Sequence, residues 1–227
     1  MENSIGDLII NGKGSSGGDK FKKVSIMGEG FINGDVECVK FKTCGESDVN
    51  GNLKVTDIVD IKGRIGIKGN LETKNLEIRG EIEVNKDLFT EQCKIWGKID
   101  IGGNLNAEIF TLDGGCTIEG LLNADKLKMI LSLPCKVHEI GGSDITVKKG
   151  GKLMFIGLRD IMGSVKHKEL TADIIEGDNV FLENTKAKVV RGTNVKIGPG
   201  CEIDLVEYKN DFKQDKGAEV KKSSQKK

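Results

Sequence analysis

Six glycines recur along this chain at almost even intervals. They are Gly28, Gly45, Gly63, Gly80, Gly97 and Gly114, separated by 17, 18, 17, 17 and 17 residues. A second series, Gly34, Gly51, Gly69, Gly103 and Gly120, keeps the same register, with Lys86 standing where one glycine is missing. Apolar columns run in parallel. Ile32, Val49, Ile67, Val84, Ile101 and Ile118 form one; Val36, Leu53, Leu71, Leu88, Leu105 and Leu122 form another; Ile26, Thr43, Ile61, Ile78, Ile95 and Leu112 form a third. A fixed short period of this kind marks a solenoid, in which each repeat buries its apolar side only against its neighbours.

Within one period, the stretch "IGIKGNLETKNLEIRGE" (65–81) offers three inward pairs: Ile65/Ile67, Leu71/Thr73 and Leu76/Ile78. Alternation of apolar and polar residues marks a strand buried on one face. Three short bursts per period predict three short strands joined by bends, one lap of a triangular, single-stranded parallel β-helix in an all-β fold. Each lap adds about 4.8 Å of height through its hydrogen bonds to the next. Glycine at a bend allows positive φ without a Cβ clash. The single extra residue between Leu53 and Gly63 reads as a bulge near Ile58, which keeps Ile58 in the inward column of Phe41, Leu76, Cys93, Phe110 and Leu127.

The periodicity divides the chain. Residues 1–23 read as a flexible or partly coiled leader, in which "LIINGKGSS" weakly echoes "VSIMGEGFI". Residues 24–147 form the β-helix with laps near 17 residues. The pattern stops over 148–169, where Lys148, Lys149, Lys152, Arg159, Lys166 and Lys168 surround "LMFIGLRDIM". This basic amphipathic insertion reads as a solvated loop, or as a contact for a membrane surface or partner. Shorter laps follow over 170–208: Leu170, Ala172, Ile175, Gly177, Val180 and Leu182 map onto Thr185, Ala187, Val190, Gly192, Val195 and Ile197 with a step of 15. Residues 209–227 are lysine-rich with few apolar residues, a composition expected to be disordered.

Composition narrows the function classes. The 227 residues carry 35 basic and 35 acidic side chains, so bulk charge gives nucleic acid no reason to bind. Six cysteines (Cys38, Cys44, Cys93, Cys116, Cys135, Cys201) form no C-x-x-C pair, and with only two histidines they read as small buried hydrophobes rather than metal ligands. "GKGSSGGDK" lacks the glycine and lysine positions of a phosphate-binding loop. Left-handed hexapeptide acyltransferases keep a strict 18-residue coil and a histidine base; here the step is mostly 17 or 15, and His138 and His167 fall where the register is loose. Asp57 and Asp60 fit outward faces rather than a calcium site. The expectation is a non-enzyme with no catalytic, cofactor-binding or metal residues. The N-terminus lacks a basic start and apolar stretch, which predicts a cytoplasmic protein, with a membrane contact as a further option.

The pattern "VSIMGEGFINGDVECVKFKTCGESDVNGNLKV" resembles the bactofilins, polymer-forming bacterial cytoskeletal proteins, most closely their longer Gram-positive type. "ADIIEGDNVFLENTKAKVVRGTNVKIGPGCEIDLVEY" (172–208) is similar to the C-terminal portion of that subgroup, so the resemblance covers residues 5–208. It implies a right-handed β-helix assembling end to end into nonpolar filaments without nucleotide. It also implies a scaffold for envelope, shape or motility machinery, with itself, a related paralogue, or an inner-membrane surface or membrane-associated client as partners.

The stacked coil predicts assembly by itself, because first and last coils leave strand edges open. Neither flank looks like a cap. The expected contacts are therefore Ile26, Ile32 and Val36 at one end and Cys201, Ile203, Val206 and Tyr208 at the other; the competing reading folds the flanks over these coils. An adaptor using the flat outer faces is the alternative function, with Trp96 the large apolar residue in an outward column of Lys62, Arg79 and Asp113.

Overall fold

A computed structural model describes residues 6–151 and 168–226. Its strands are β1 (Leu8–Val49), β2 (Leu53–Ile67), β3 (Leu71–Val84), β4 (Leu88–Ile101), β5 (Leu105–Lys149), β6 (Leu170–Leu182), β7 (Thr185–Ile197), β8 (Glu202–Gln214) and β9 (Glu219–Gln225). They form a parallel sheet whose strand order follows the chain, and no helix occurs among the described residues. The fold is a parallel β-solenoid with laps near 17 residues. Contacts divide it into two compact units that meet in sequence at Glu108 and Ile109.

In the first unit the predicted columns are bonded neighbours. Val36 pairs with Leu53, Leu53 with Leu71, and Leu71 with Leu88; Val49, Ile67, Val84 and Ile101 pair in the same succession. All of these side chains are buried, as are Leu105, Ile118 and Leu122. Burying an aliphatic side chain contributes roughly 1.5–3 kcal/mol, and the repetition of such positions offsets the entropy of ordering each lap.

One expectation is corrected here, the inward place of Ile58. The bulge lies near Ile58 as expected, at Thr56 and Asp57, because pairing jumps from Val55 to Ile58. Val59, not Ile58, then pairs with Phe41 and Leu76 in the inward column. Val59 is fully buried, whereas Ile58 is half-buried beside Lys40 and Asn75. Both residues are apolar, so the pattern alone could not choose between them. Of the two readings of the leader, the described part takes the coiled one and forms a full lap: the Lys22 N–H donates to the Gly6 carbonyl (2.9 Å), and β1 runs through it.

In the second unit, β6 stacks on β7 with a step of 15, as Leu170 with Thr185 and Ile175 with Val190. The 148–169 insertion lies mostly outside the described residues, but its two flanks are fixed. The Cys135 N–H donates to the Glu169 carbonyl (2.9 Å), and Lys168 Nζ donates to the Gly151 carbonyl (2.9 Å). On either side the lap resumes in register, with Val137 against Ala172 and Ile145 against Val180.

The tail expected to be disordered is instead the last lap. β8 continues to Gln214, a turn carries the Ala218 N–H to the Asp215 carbonyl (3.2 Å), and β9 pairs with β8 through Glu219–Gln225. Val220 sits over Ile203, and Ser223 over Val206. The composition misleads for a physical reason. A terminal lap has a core on one side and water on the other, so polar residues at inward positions suit it, and main-chain pairing supplies the order.

The corrected register predicts that Val59→Asp, which buries an unpaired carboxylate, lowers the urea midpoint far more than Ile58→Asp. Equal losses in the two variants would contradict the bulge position.

Candidate functional site

Without side chains at the bends, laps can approach closely. All six glycines of the first series have positive φ, from 118° at Gly28 to 156° at Gly114. At Gly63 (φ 129°) a Cβ would lie 2.1 Å from the carbonyl oxygen of Gly45 one lap below. The corner is therefore closed to any side chain, on conformation and on space together. The second series works differently. Gly34 alone among its members has positive φ, while at Gly51, Gly69 and Gly103 a Cβ would clash with the lap below.

Just after that second series stands a column that the sequence reading missed: Asp35, Asn52, Asn70, Asp87 and Asn104. Each side-chain oxygen accepts the backbone N–H of the next member, Asn52 to Asp35 at 2.7 Å, Asn70 to Asn52 at 2.9 Å, Asp87 to Asn70 at 3.1 Å and Asn104 to Asp87 at 2.7 Å. These bonds satisfy amides at bends, where lap-to-lap strand pairing is interrupted. The backbone and side-chain hydrogen bonds from Asn52 hold the Asp35 carboxyl below its ordinary 3.8. Its contribution to stability is complete above that ordinary value and lost as pH falls through the depressed folded value. The sequence signal was present as "GD", "GN", "GN", "KD" and "GN" at lap spacing. The second unit has its own amide ladder: Asn179 donates to Asp144 (2.8 Å), Asn194 to Asn179 (2.9 Å) and Asn210 to Asn194 (2.9 Å).

The outer faces carry ion pairs between laps, Lys13 with Glu29 (2.7 Å), Lys20 with Glu37 (2.9 Å) and Lys54 with Glu72 (3.0 Å), while elsewhere like charges are neighbours, Lys62 against Arg79 and Glu83 against Asp100. Water and salt screen such exposed pairs, so each contributes little to stability. Trp96 is half-buried under the Arg79 guanidinium, 5.0 Å from the ring centre, and so is engaged by its own face. Five cysteines are buried and Cys44 is exposed. Burial raises the thiols of Cys38, to about 12, and of Cys201, to about 11. A cleft of about 510 Å³ in the second unit runs past Glu176, Arg191 and Tyr208. Several of its charges engage one another, Arg191 with Glu207 (2.8 Å) and Glu176 (3.5 Å), Lys226 with Glu207 (2.8 Å), while Asp178 and Lys209 also line it. Among the described residues no His, Cys, Asp or Glu cluster is arranged to hold a metal ion.

The expected contact residues are not on open coils. Ile26, Ile32 and Val36 are buried beneath the extra N-terminal lap; Cys201, Ile203 and Val206 are buried, the latter two beneath β9. Tyr208 is half-buried, its ring 5.4 Å from that of Phe212. Among the described residues the first lap is the one beginning at Gly6 and the last the one ending in β9. Exposed apolar side chains lie on the first lap and the next, with Ile9 at 60%, Met27 at 58% and Phe31 at 40% exposure.

With this geometry in hand, sequence comparison gives a relative over nearly the whole length. YhbE of Bacillus subtilis (strain 168), an uncharacterized protein, is 45% identical over 229 residues, which cover 96% of this chain and 97% of YhbE. The chain belongs to the YhbE family. Uncharacterized protein YhbF of the same organism is 44% identical over 88 residues, 39% of this chain; the match spans about a third of YhbF's length, 34%. No family model matches, and no solved structure matches. No helix among the described residues is long and apolar enough to cross a membrane. The YhbE likeness covers 96% of the chain and so extends over both units.

Gly63→Ala is expected to destabilise the protein by more than the roughly 1 kcal/mol scale of ordinary glycine–alanine exchange, because the added carbon meets backbone rather than a movable side chain. A thermal melt checks this. An unchanged midpoint would show that the corner can open.

Proposed function

We propose that this protein is a structural, non-enzymatic protein that self-assembles through its outermost laps into nucleotide-independent filaments. These scaffold envelope, shape or motility machinery from the cytoplasm. The observation that carries this reading is the N-terminal lap, which among the described residues bonds to a neighbour on one side and exposes Ile9 next to Met27 and Phe31 of the following lap. An unpaired strand edge beside apolar side chains is a template for another chain. The resemblance to the bactofilins supports the same reading, and it supplies the candidate partners: further copies, a related paralogue, and a membrane-associated client. In the cleft Arg191, Glu207 and Lys226 are engaged with one another, which supports a scaffold over catalysis.

Negative-stain microscopy of the purified protein without nucleotide tests the proposal. Filaments are expected from the wild type. Ile9→Asp combined with Met27→Asp replaces exposed side chains, so the melting midpoint is expected to hold while filaments are lost. A compact particle from the wild type, or unchanged filaments from the folded double variant, would contradict the reading.

A further inference from the structure

Two of the buried cysteines, Cys116 and Cys135, stand one lap apart within the second unit. The contacts around them fix the register. A Cβ at Gly115 would lie 2.7 Å from the Leu133 Cβ and 2.8 Å from the Pro134 carbonyl oxygen, which sets Gly115 against Pro134. One residue further along each lap come Cys116 and Cys135. Beyond them Lys136 reaches Glu119 (3.5 Å), so the laps keep step on the other side as well. Both cysteines point inward, with 2% and 3% exposure. The Cys135 Sγ leans toward the lap of Cys116, 3.9 Å from the Gly114 carbonyl oxygen. Cys38 and Cys93, by contrast, pair with Val55 and Leu76.

We infer that Cys116 and Cys135 are a redox pair, closed to a disulfide between adjacent laps by a small-molecule disulfide and reopened by a small thiol. Equivalent residues on neighbouring parallel strands stand about 4.8 Å apart, inside the window of about 4.4–6.8 Å between Cα atoms that a disulfide accepts. The Cβ atoms must approach to about 3.8 Å, roughly 1 Å less than the lap spacing. Gly114 and Gly115 carry no side chains to resist that approach, and the opposing lap turns through the exposed Pro134 beside Cys135. That bend is the point of entry for the oxidant. One cysteine, as thiolate, attacks a sulfur of the oxidant; the oxidant's S–S bond breaks, one thiol leaves and a mixed disulfide remains. The second cysteine, as thiolate, attacks the first cysteine's sulfur and expels the other thiol. The protein gives up two electrons and two protons, and the oxidant is reduced to two thiols. The bridge ties two laps of the solenoid together and restricts the unfolded chain, so the oxidised form resists unfolding more than the reduced one.

The test treats the folded full-length protein with oxidised glutathione, blocks remaining thiols, and maps the cysteines by peptide mass spectrometry. Modification of the exposed Cys44 shows that the oxidant was active. A bridge from Cys116 to Cys135 within one chain is expected, with a melting midpoint several degrees higher that reduced glutathione returns to its starting value. Cys116→Val keeps an aliphatic side chain at an inward position. It is expected to melt close to the reduced wild type and to show no rise with oxidant. Cys116 and Cys135 both left as thiols after Cys44 has reacted, a glutathione adduct without the bridge, or a rise that persists in Cys116→Val would overturn the pair.

Discussion

Main-chain pairing between one lap and the next is the interaction on which everything else in this molecule depends. Parallel strands place equivalent residues directly over one another, so each position inherits the environment of its column. An inward column is mostly apolar, with small polar residues such as Thr43 and Thr73 accepted, and an outward column carries the charge. A bend must let carbonyl and α-carbon stack without a side chain between them. Gly45 under Gly63 and Gly63 under Gly80 show the last condition, since a Cβ at the upper residue would lie 2.1 Å and 2.0 Å from the lower carbonyl oxygen. Low aromatic content follows from the same condition: thin laps stacked closely are filled by Ile, Val and Leu, with Phe41 and Phe110 the largest buried side chains.

The columns were legible in the sequence because lap-to-lap pairing turns spatial neighbours into residues 17 apart. Ile67 and Val84, or Leu71 and Leu88, could be matched before any coordinate was known, and each pair is bonded as expected. What failed to show had physical causes. Ile58 and Val59 are both apolar, and only the hydrogen-bond jump at Thr56 and Asp57 decides which points inward. The Asp35–Asn52–Asn70–Asp87–Asn104 column was visible at the right spacing, but Asn and Asp beside glycine suggest any turn, and their lap-to-lap bonding appears only in three dimensions. The last lap was hidden because its order comes from backbone pairing on β8, which composition does not report.

That last lap also changes what the molecule presents to its surroundings. The apolar residues first expected to face a partner, Ile203 and Val206 among them, are interior, and the surfaces offered instead are a lysine-bearing edge and an N-terminal lap bordered by Ile9 and Met27. A terminal lap with polar residues at inward positions, such as Ser223 over Val206, covers the apolar columns beneath it.

The register itself is open to a direct chemical measurement, because the exposed thiol of Cys44 lies opposite Lys62 in the neighbouring lap. Paired positions on adjacent parallel strands fall within the Cα separation of about 4.4–6.8 Å that a disulfide needs. Mild oxidation of a Lys62→Cys variant, followed by peptide mass spectrometry, should give an intramolecular bridge to Cys44, whereas an Arg64→Cys variant, two residues along the strand, should not. Equal bridging from both positions, or none from Lys62→Cys in a folded protein, would contradict the stacking of lap upon lap.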